Sequence, residues 1–220
     1  MHLYAIRHAQ SFVNLPNWKG DPDASLTPLG QKQATALAEW LPAHIPHLDA
    51  IYSSTMRRPR ETVAGVAAAY NLPVTYEDRL REIGEVQWNH EPYPAGEDPK
   101  VEDWIYPWPT IECPPFSPVE RNPHSETPMH MRVRVALVLE TLLAKHMDQH
   151  VLVVSHGGIM SAMFDYCFGV GPWRHCDIST YNTGISHFQY TTRATKQFWV
   201  LRAHNMLEHL RGVDDDAAYF

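Results

Sequence analysis

Apolar residues along this 220-residue chain follow two rhythms, and the switches between them mark out strands and helices. His2 to Ile6 is a short β-like run that stops at a polar cluster, Arg7 to Ser11, and a loop rich in Pro, Gly and Asp continues to Ser25. Thr27 and Pro28 read as an N-cap and a first-turn proline, and Leu29, Ala34, Leu37 and Leu41 then give a helical stripe up to Pro42. Leu48 to Ser53 predicts the next strand. Val63, Val66, Ala67 and Tyr70 repeat at i, i+3, i+4 and i+7, which predicts a helix over Pro59 to Tyr70, and Pro73 to Tyr76 reads as a short strand.

From Gln87 to Pro128 neither rhythm persists. Dense proline with Trp88, Tyr93, Trp104, Tyr106, Trp108 and Phe116 predicts a packed insertion with little regular structure, bordered by His90, His124 and His130. Met131, Val135, Val138, Leu139 and Leu142 restore helical spacing to about Lys145. Val151 to Val154 is an all-apolar run of the kind found in a buried strand, and Ser155, His156, Gly157 and Gly158 open another helix. Two late strands, about Gly184 to Tyr190 and Gln197 to His204, precede an acidic tail around Asp214 to Asp216, which is expected to fray. The alternation predicts an α/β fold with helices on both sheet faces, a single domain over 1–220 with its insertion at about 87–128.

Composition narrows the function. An apolar share of 44% with 20% charged residues is that of a globular protein. A net charge of −7 and a pI near 6.0 argue against nucleic acid and anionic membrane as partners, so an anionic substrate must be caught locally. Cys113, Cys167 and Cys176 have no paired spacing, which disfavours a disulfide framework or structural zinc and fits a reducing compartment. With no basic leader and no apolar stretch of about 20 residues, the expected location is cytoplasmic. Fourteen histidines are scattered along the chain, so only position can promote one of them.

Four polar clusters end a strand or follow one directly: Arg7-His8, Arg58, Glu82, and His156 with its glycines. Ligands of open α/β sheets bind outside the carboxyl ends of the strands, where these clusters can converge. Two guanidinium forks and the helix N-terminus at Gly157-Gly158 suit phosphoryl oxygens. A neutral imidazole, kept neutral by nearby arginine charge, can attack phosphorus, and a carboxylic acid can supply the proton that a departing alkoxide needs. His8 is the candidate nucleophile and Glu82 the candidate acid. Arg57 and Arg60 are expected to be ordinary surface charges.

These residues fall into motifs that resemble the histidine phosphatase superfamily, which includes the cofactor-dependent phosphoglycerate mutases. Arg7-His8-Ala9-Gln10-Ser11 with Asn14 is similar to the family's opening Arg-His-Gly-Glu/Gln-Ser with its downstream Asn. Leu26-Thr27-Pro28-Leu29-Gly30-Gln31-Lys32-Gln33-Ala34 resembles its Leu-Thr-x-x-Gly-x-x-Gln-Ala segment, which is structural. Tyr52 to Val63 resembles a third block, whose register through Glu61-Thr62 selects Arg58 over Arg57. Leu80-Arg81-Glu82-Ile83 and Val154-Ser155-His156-Gly157-Gly158 resemble the remaining two, and Ser125-Glu126-Thr127 is a weaker likeness to the family's Gly-Glu-Ser before its long helix.

The resemblance implies a three-layer α/β/α sandwich, phosphoglycerate mutase-like, with the Pro- and aromatic-rich insertion added. It implies a phosphomonoesterase of the histidine acid phosphatase type, acting on a small phosphorylated metabolite through phosphohistidine at His8, without metal or cofactor. The implied catalytic set is His8, Glu82, Arg7, Arg58 and His156, with Arg7, Gln10, Asn14, Arg58, His156 and Gly157 around the phosphate. Ala9 replaces the family's usual glycine and Pro59 its usual alanine. Mutases follow their acidic residue with Arg-His-Tyr-Gly, whereas Glu82 is followed by Ile83-Gly84-Glu85-Val86, which favours a phosphatase. A mutase that returns the phosphoryl group to its product and a non-catalytic phospholigand-binding module remain the alternatives, and a homodimer stays open.

Overall fold

The computed structural model describes residues 1–83, 126, 128–171 and 178–213. Most of the expected insertion, with His90 and His124, and the acidic tail lie outside the described residues.

Six strands form one mixed sheet in the order β3-β2-β4-β1-β5-β6. They are β1 (His2–Arg7), β2 (Ala50–Ser54), β3 (Val74–Glu77), β4 (His150–Ser155), β5 (Ile185–Arg193) and β6 (Lys196–Met206). The first four are parallel to one another, and β5 and β6 form an antiparallel hairpin on the β1 side. The apolar β4 lies between β1 and β2, as its lack of alternation requires, because both its faces are covered.

The period of two along β1 sends its side chains to two cores. Leu3 and Ala5 pack with Val151, Val153 and Phe188 against α3 (Pro128–His146) and α4 (Gly157–Cys167). Tyr4 and Ile6 pack with Leu152 and Val154 against α1 (Pro28–His44) and α2 (Arg57–Tyr70). Each wholly buried Leu, Ile or Val in these layers is worth roughly 1.5–3 kcal/mol of apolar transfer. The result is the three-layer sandwich. Among the described residues no helix is long and apolar enough to cross a membrane.

The boundaries shift in places for local reasons. Helix α1 continues through Pro42 to His44, with Ile45 N–H still reaching the Leu41 carbonyl. A proline in the last turn removes one donor but leaves the following residues free to complete the turn. Helix α2 starts two residues before Pro59, at Arg57, which places Pro59 in the first turn, where its missing N–H costs nothing.

Parallel register brings the carboxyl ends of three strands together. Arg7 pairs with Ser155, and Ser53 with Val154, so the loops after β1, β2 and β4 open on the same edge of the sheet.

Candidate active site

A cleft of about 920 Å³ opens at that edge. Arg7, His8, Arg58, Glu82 and Gly157 line it together with Asn14, so four sequence-distant clusters do converge. Val13, Trp18, Ile83 and Ile178 add apolar wall, and Asn17 and Lys19 add polar groups from the loop after β1.

His8 stands just beyond the end of β1 and is only 3% exposed. Its backbone N–H donates to the Ser155 carbonyl (2.8 Å), and its carbonyl accepts from Asn182 Nδ2 (2.8 Å). Thr183 N–H donates to the Arg7 carbonyl (3.0 Å) from a backbone with φ of 58°, a left-handed conformation that a β-branched residue adopts only under tertiary constraint.

The imidazole is held at both nitrogens. Nδ1 lies 2.7 Å from the Ala9 carbonyl and Nε2 lies 3.1 Å from Arg58 Nε. A carbonyl only accepts and a guanidinium only donates, so the pair assigns one tautomer: hydrogen on Nδ1 and a lone pair on Nε2. Burial, and then the charges of Arg58 and Arg7, hold the His8 pKa well below the usual histidine range, with the Ala9 carbonyl opposing. The side chain is thus a neutral imidazole whose basic nitrogen faces the arginines.

Arg58 is 2% exposed, on the first turn of α2, and its Nη1 donates to the Pro22 carbonyl (3.0 Å). Thr62, one turn later, donates to the Arg58 carbonyl (2.7 Å) and accepts from Ala9 N–H (3.0 Å), tying α2 to the His8 loop. Arg57 turns outward toward Asp21, and Arg60 lies over the Tyr76 ring, as expected of surface charges. Arg7 donates through Nη1 to the Thr180 carbonyl (2.7 Å). Its buried Nε has no hydrogen-bond partner among the described residues. Burial lowers the Arg7 pKa and Glu82 opposes that shift.

Glu82 reaches the cleft from the loop after β3. One oxygen accepts from Gly158 N–H (3.2 Å) at the start of α4 and the other from its neighbour Ile83 N–H (3.0 Å). The glycine pair lets helix and side chains close up: a Cβ at Gly158 would stand 2.4 Å from Glu82 Oε1, and one at Gly157 would touch the Arg7 guanidinium.

His156 is fully buried and is not part of the cleft wall. It stands behind His8, ring centroids 5.2 Å apart at an edge-on angle, with Nε2 2.9 Å from Ser54 Oγ and Nδ1 without a partner among the described residues. Burial, then the charge of Arg58, keeps its pKa well below the usual range.

Gln10, which the resemblance implies beside the phosphate, turns polar groups toward α1 and Thr27. Its Oε1 accepts from Thr27 Oγ (2.7 Å), its N–H donates to Gln33 Oε1 (2.8 Å), and its carbonyl accepts from Thr27 N–H (3.0 Å). Through these bonds Gln10 moors the His8 loop to α1. Thr27 also caps α1 through Gly30 N–H (3.0 Å), which gives the second motif its structural purpose.

Ser54 and Thr62 escaped the sequence reading as site residues. Both fell inside a recognised block, but nothing in a linear pattern shows that a hydroxyl on β2 will meet a histidine about one hundred positions away.

Comparison with known proteins places the chain in a family. The model for the histidine phosphatase superfamily (branch 1) matches residues 3–205. A curated relative, phosphoserine phosphatase 1 of Hydrogenobacter thermophilus, is 33% identical over 191 residues, covering 82% of this chain and 84% of its own. A second, named "Probable phosphoglycerate mutase GpmB", from Citrobacter koseri, is 25% identical over 214 residues, covering 96% and 95%. In fold, the chain is similar to phosphoserine phosphatase from Entamoeba histolytica in complex with 3-phosphoglyceric acid, with a TM-score of 0.69 at 23% identity over 95% of this chain and 98% of that one. Motif order, sheet topology and the full-length match converge on one conclusion: this chain belongs to branch 1 of the histidine phosphatase superfamily.

Proposed function

We propose that the protein is a phosphomonoesterase that removes the phosphoryl group of a small phosphorylated metabolite through phosphohistidine at His8. The observation that carries this reading is the fixed tautomer, in which Nδ1 faces the Ala9 carbonyl and Nε2 keeps its lone pair among arginines. In the first step Nε2 attacks phosphorus and the bond from phosphorus to the ester oxygen breaks, while Glu82, as a carboxylic acid, gives its proton to the leaving alkoxide. In the second, the Glu82 carboxylate takes a proton from water, the oxygen of that water bonds to phosphorus, the P–N bond breaks, and orthophosphate leaves a neutral His8.

Arg7 and Arg58 neutralise charge on the transferred group without needing to move, since both are already held by backbone carbonyls. Arg7 Nε, a buried donor without a partner among the described residues, is one that a phosphoryl oxygen would satisfy, and Asn14 and Gly157 border the same space. The apolar wall of Val13, Trp18, Ile83 and Ile178 favours a metabolite with some apolar body. The relative named as a phosphoserine phosphatase supports hydrolysis rather than isomerisation.

Hydrolysis of 4-nitrophenyl phosphate in excess chelator tests the reading. His8→Ala should abolish turnover and chelator should leave the parent rate unchanged; similar turnover by the variant would overturn the assignment. Incubation with monophosphoglycerate and a bisphosphoglycerate primer tests the mutase alternative, which isomerisation without phosphate release would establish. A phospholigand-binding module would bind phosphate tightly and turn over nothing.

A further inference from the structure

Arg134 breaks the pattern of its own helix. It lies on the face of α3 that Met131, Val135 and Val138 bury, and its side chain, like that of Glu126, is 0% exposed. Burying a guanidinium costs several kcal/mol unless its donors are satisfied. Nε and Nη2 meet the two oxygens of Glu126 at 2.6 Å each, a bidentate pair. Nη1 donates to the carbonyls of Arg79 (2.6 Å) and Arg81 (2.8 Å), and Nη2 approaches the Glu82 carbonyl at 3.5 Å.

Those carbonyls belong to the turn that delivers Glu82 to the cleft. It follows β3 through a single 3-10 turn, Asp78–Leu80, so its carbonyls find no sheet or helix partner and need buried donors from elsewhere. Ser155 Oγ serves the remaining one, donating to Leu80 (2.7 Å). The carbonyls of residues 79, 80 and 81 are thereby pinned from α3 and from the end of β4, immediately before the residue whose carboxylate meets Gly158. Glu126 anchors the guanidinium from just ahead of α3 and neutralises it. Only a planar fork can reach a carboxylate and two carbonyls at once, so lysine would not substitute.

We infer that Arg134, held by Glu126, is a positioning residue that fixes the proton-donating carboxyl group of Glu82 in the cleft. The inference rests on the reading of Glu82 as the acid that protonates the leaving group. Displacing that acid should matter most where the leaving group needs a proton. Nitrophenolate departs without one, whereas the alkoxide of a simple alkyl phosphate does not.

The test compares kcat/KM for 4-nitrophenyl phosphate and an alkyl phosphate in Arg134→Lys, in Glu126→Gln, and in the paired Arg134→Met/Glu126→Leu variant, which leaves no uncompensated buried charge. Each should lose at least about tenfold on the alkyl ester and less than about threefold on the aryl ester. Equal losses on both substrates, or none in variants whose circular dichroism and melting match the parent, would overturn the inference. Glu82→Gln run alongside separates the two levels. A leaving-group split in Glu82→Gln but not at Arg134 or Glu126 refutes the clamp and leaves the acid in place. No split in Glu82→Gln refutes the acid and the clamp with it.

Discussion

Gly30→Ala adds one methyl group and should damage both stability and turnover. A Cβ at Gly30 would stand 1.8 Å from the Gln10 carbonyl oxygen and 2.8 Å from its carbon. That neighbour is backbone, with no flexible end to swing away. Restoring ordinary contact requires the Gln10 peptide to retreat by more than about 1 Å, which small-to-large strain puts at roughly 1–3 kcal/mol. The move also breaks the 3.0 Å bond from Thr27 N–H to the Gln10 carbonyl, another ~1 kcal/mol. The whole effect is about 2–4 kcal/mol, set against a modest gain in helix propensity. Gln10 is two residues from His8, so the shift also displaces the imidazole, and misplacement by about 1 Å costs on the order of 10²-fold in rate. Urea unfolding and kcat for an aryl phosphate on the same preparation check both halves. An alanine variant within about 0.5 kcal/mol of the parent and within twofold in kcat would refute the reasoning.

Thr62→Val keeps shape but deletes the hydroxyl joining Ala9 N–H to the Arg58 carbonyl; it should cost about 1–3 kcal/mol in chemical denaturation, and an unchanged midpoint would contradict that. Ser54 Oγ accepts from Met56 N–H (3.3 Å) and shares a 2.9 Å hydrogen bond with His156 Nε2; Ser54→Ala should lower kcat/KM about tenfold with melting near that of the parent, and a fully active variant would remove the role. Stability should also depend on pH. Burial, their largest influence, holds His187 and His209 down to about 4, against about 6.5 in an unfolded chain. The unfolded state therefore takes up protons first, so this contribution is whole above about pH 6.5 and drains away as pH falls toward about 4. Urea midpoints from pH 4 to 7 should rise with pH, less steeply in His209→Gln, and an identical slope in that variant would contradict the assignment.

The fold was legible because binary pattern and topology agree. Alternation along β1, unbroken apolarity in β4 and the stripes of α1, α2 and α3 each follow from which faces the sandwich covers. The convergence of Arg7, His8, Arg58 and Glu82 on one cleft was legible because these residues close or follow strands that end at the same edge of the sheet, a position that sequence marks by a change from apolar to polar. Partner choice was not. Gln10 lies two residues from His8 in sequence, yet its side-chain oxygen turns to Thr27, since capping α1 and mooring the loop share the same few groups. Arg134 left one trace, a charge three residues after Met131 on a face that should be apolar. Its meaning needed Glu126 and the carbonyls of the Glu82 turn in space.

The central claim is a covalent bond between phosphorus and His8. Glu82→Gln with 4-nitrophenyl phosphate tests it most directly, because the first transfer needs no proton for this leaving group while the second lacks the base that activates water. After an alkaline quench, peptide mass spectrometry should find base-stable, acid-labile phosphate on His8, approaching one per chain. Release of nitrophenolate by this variant with no phosphate on His8, or with phosphate on another residue, would contradict the account.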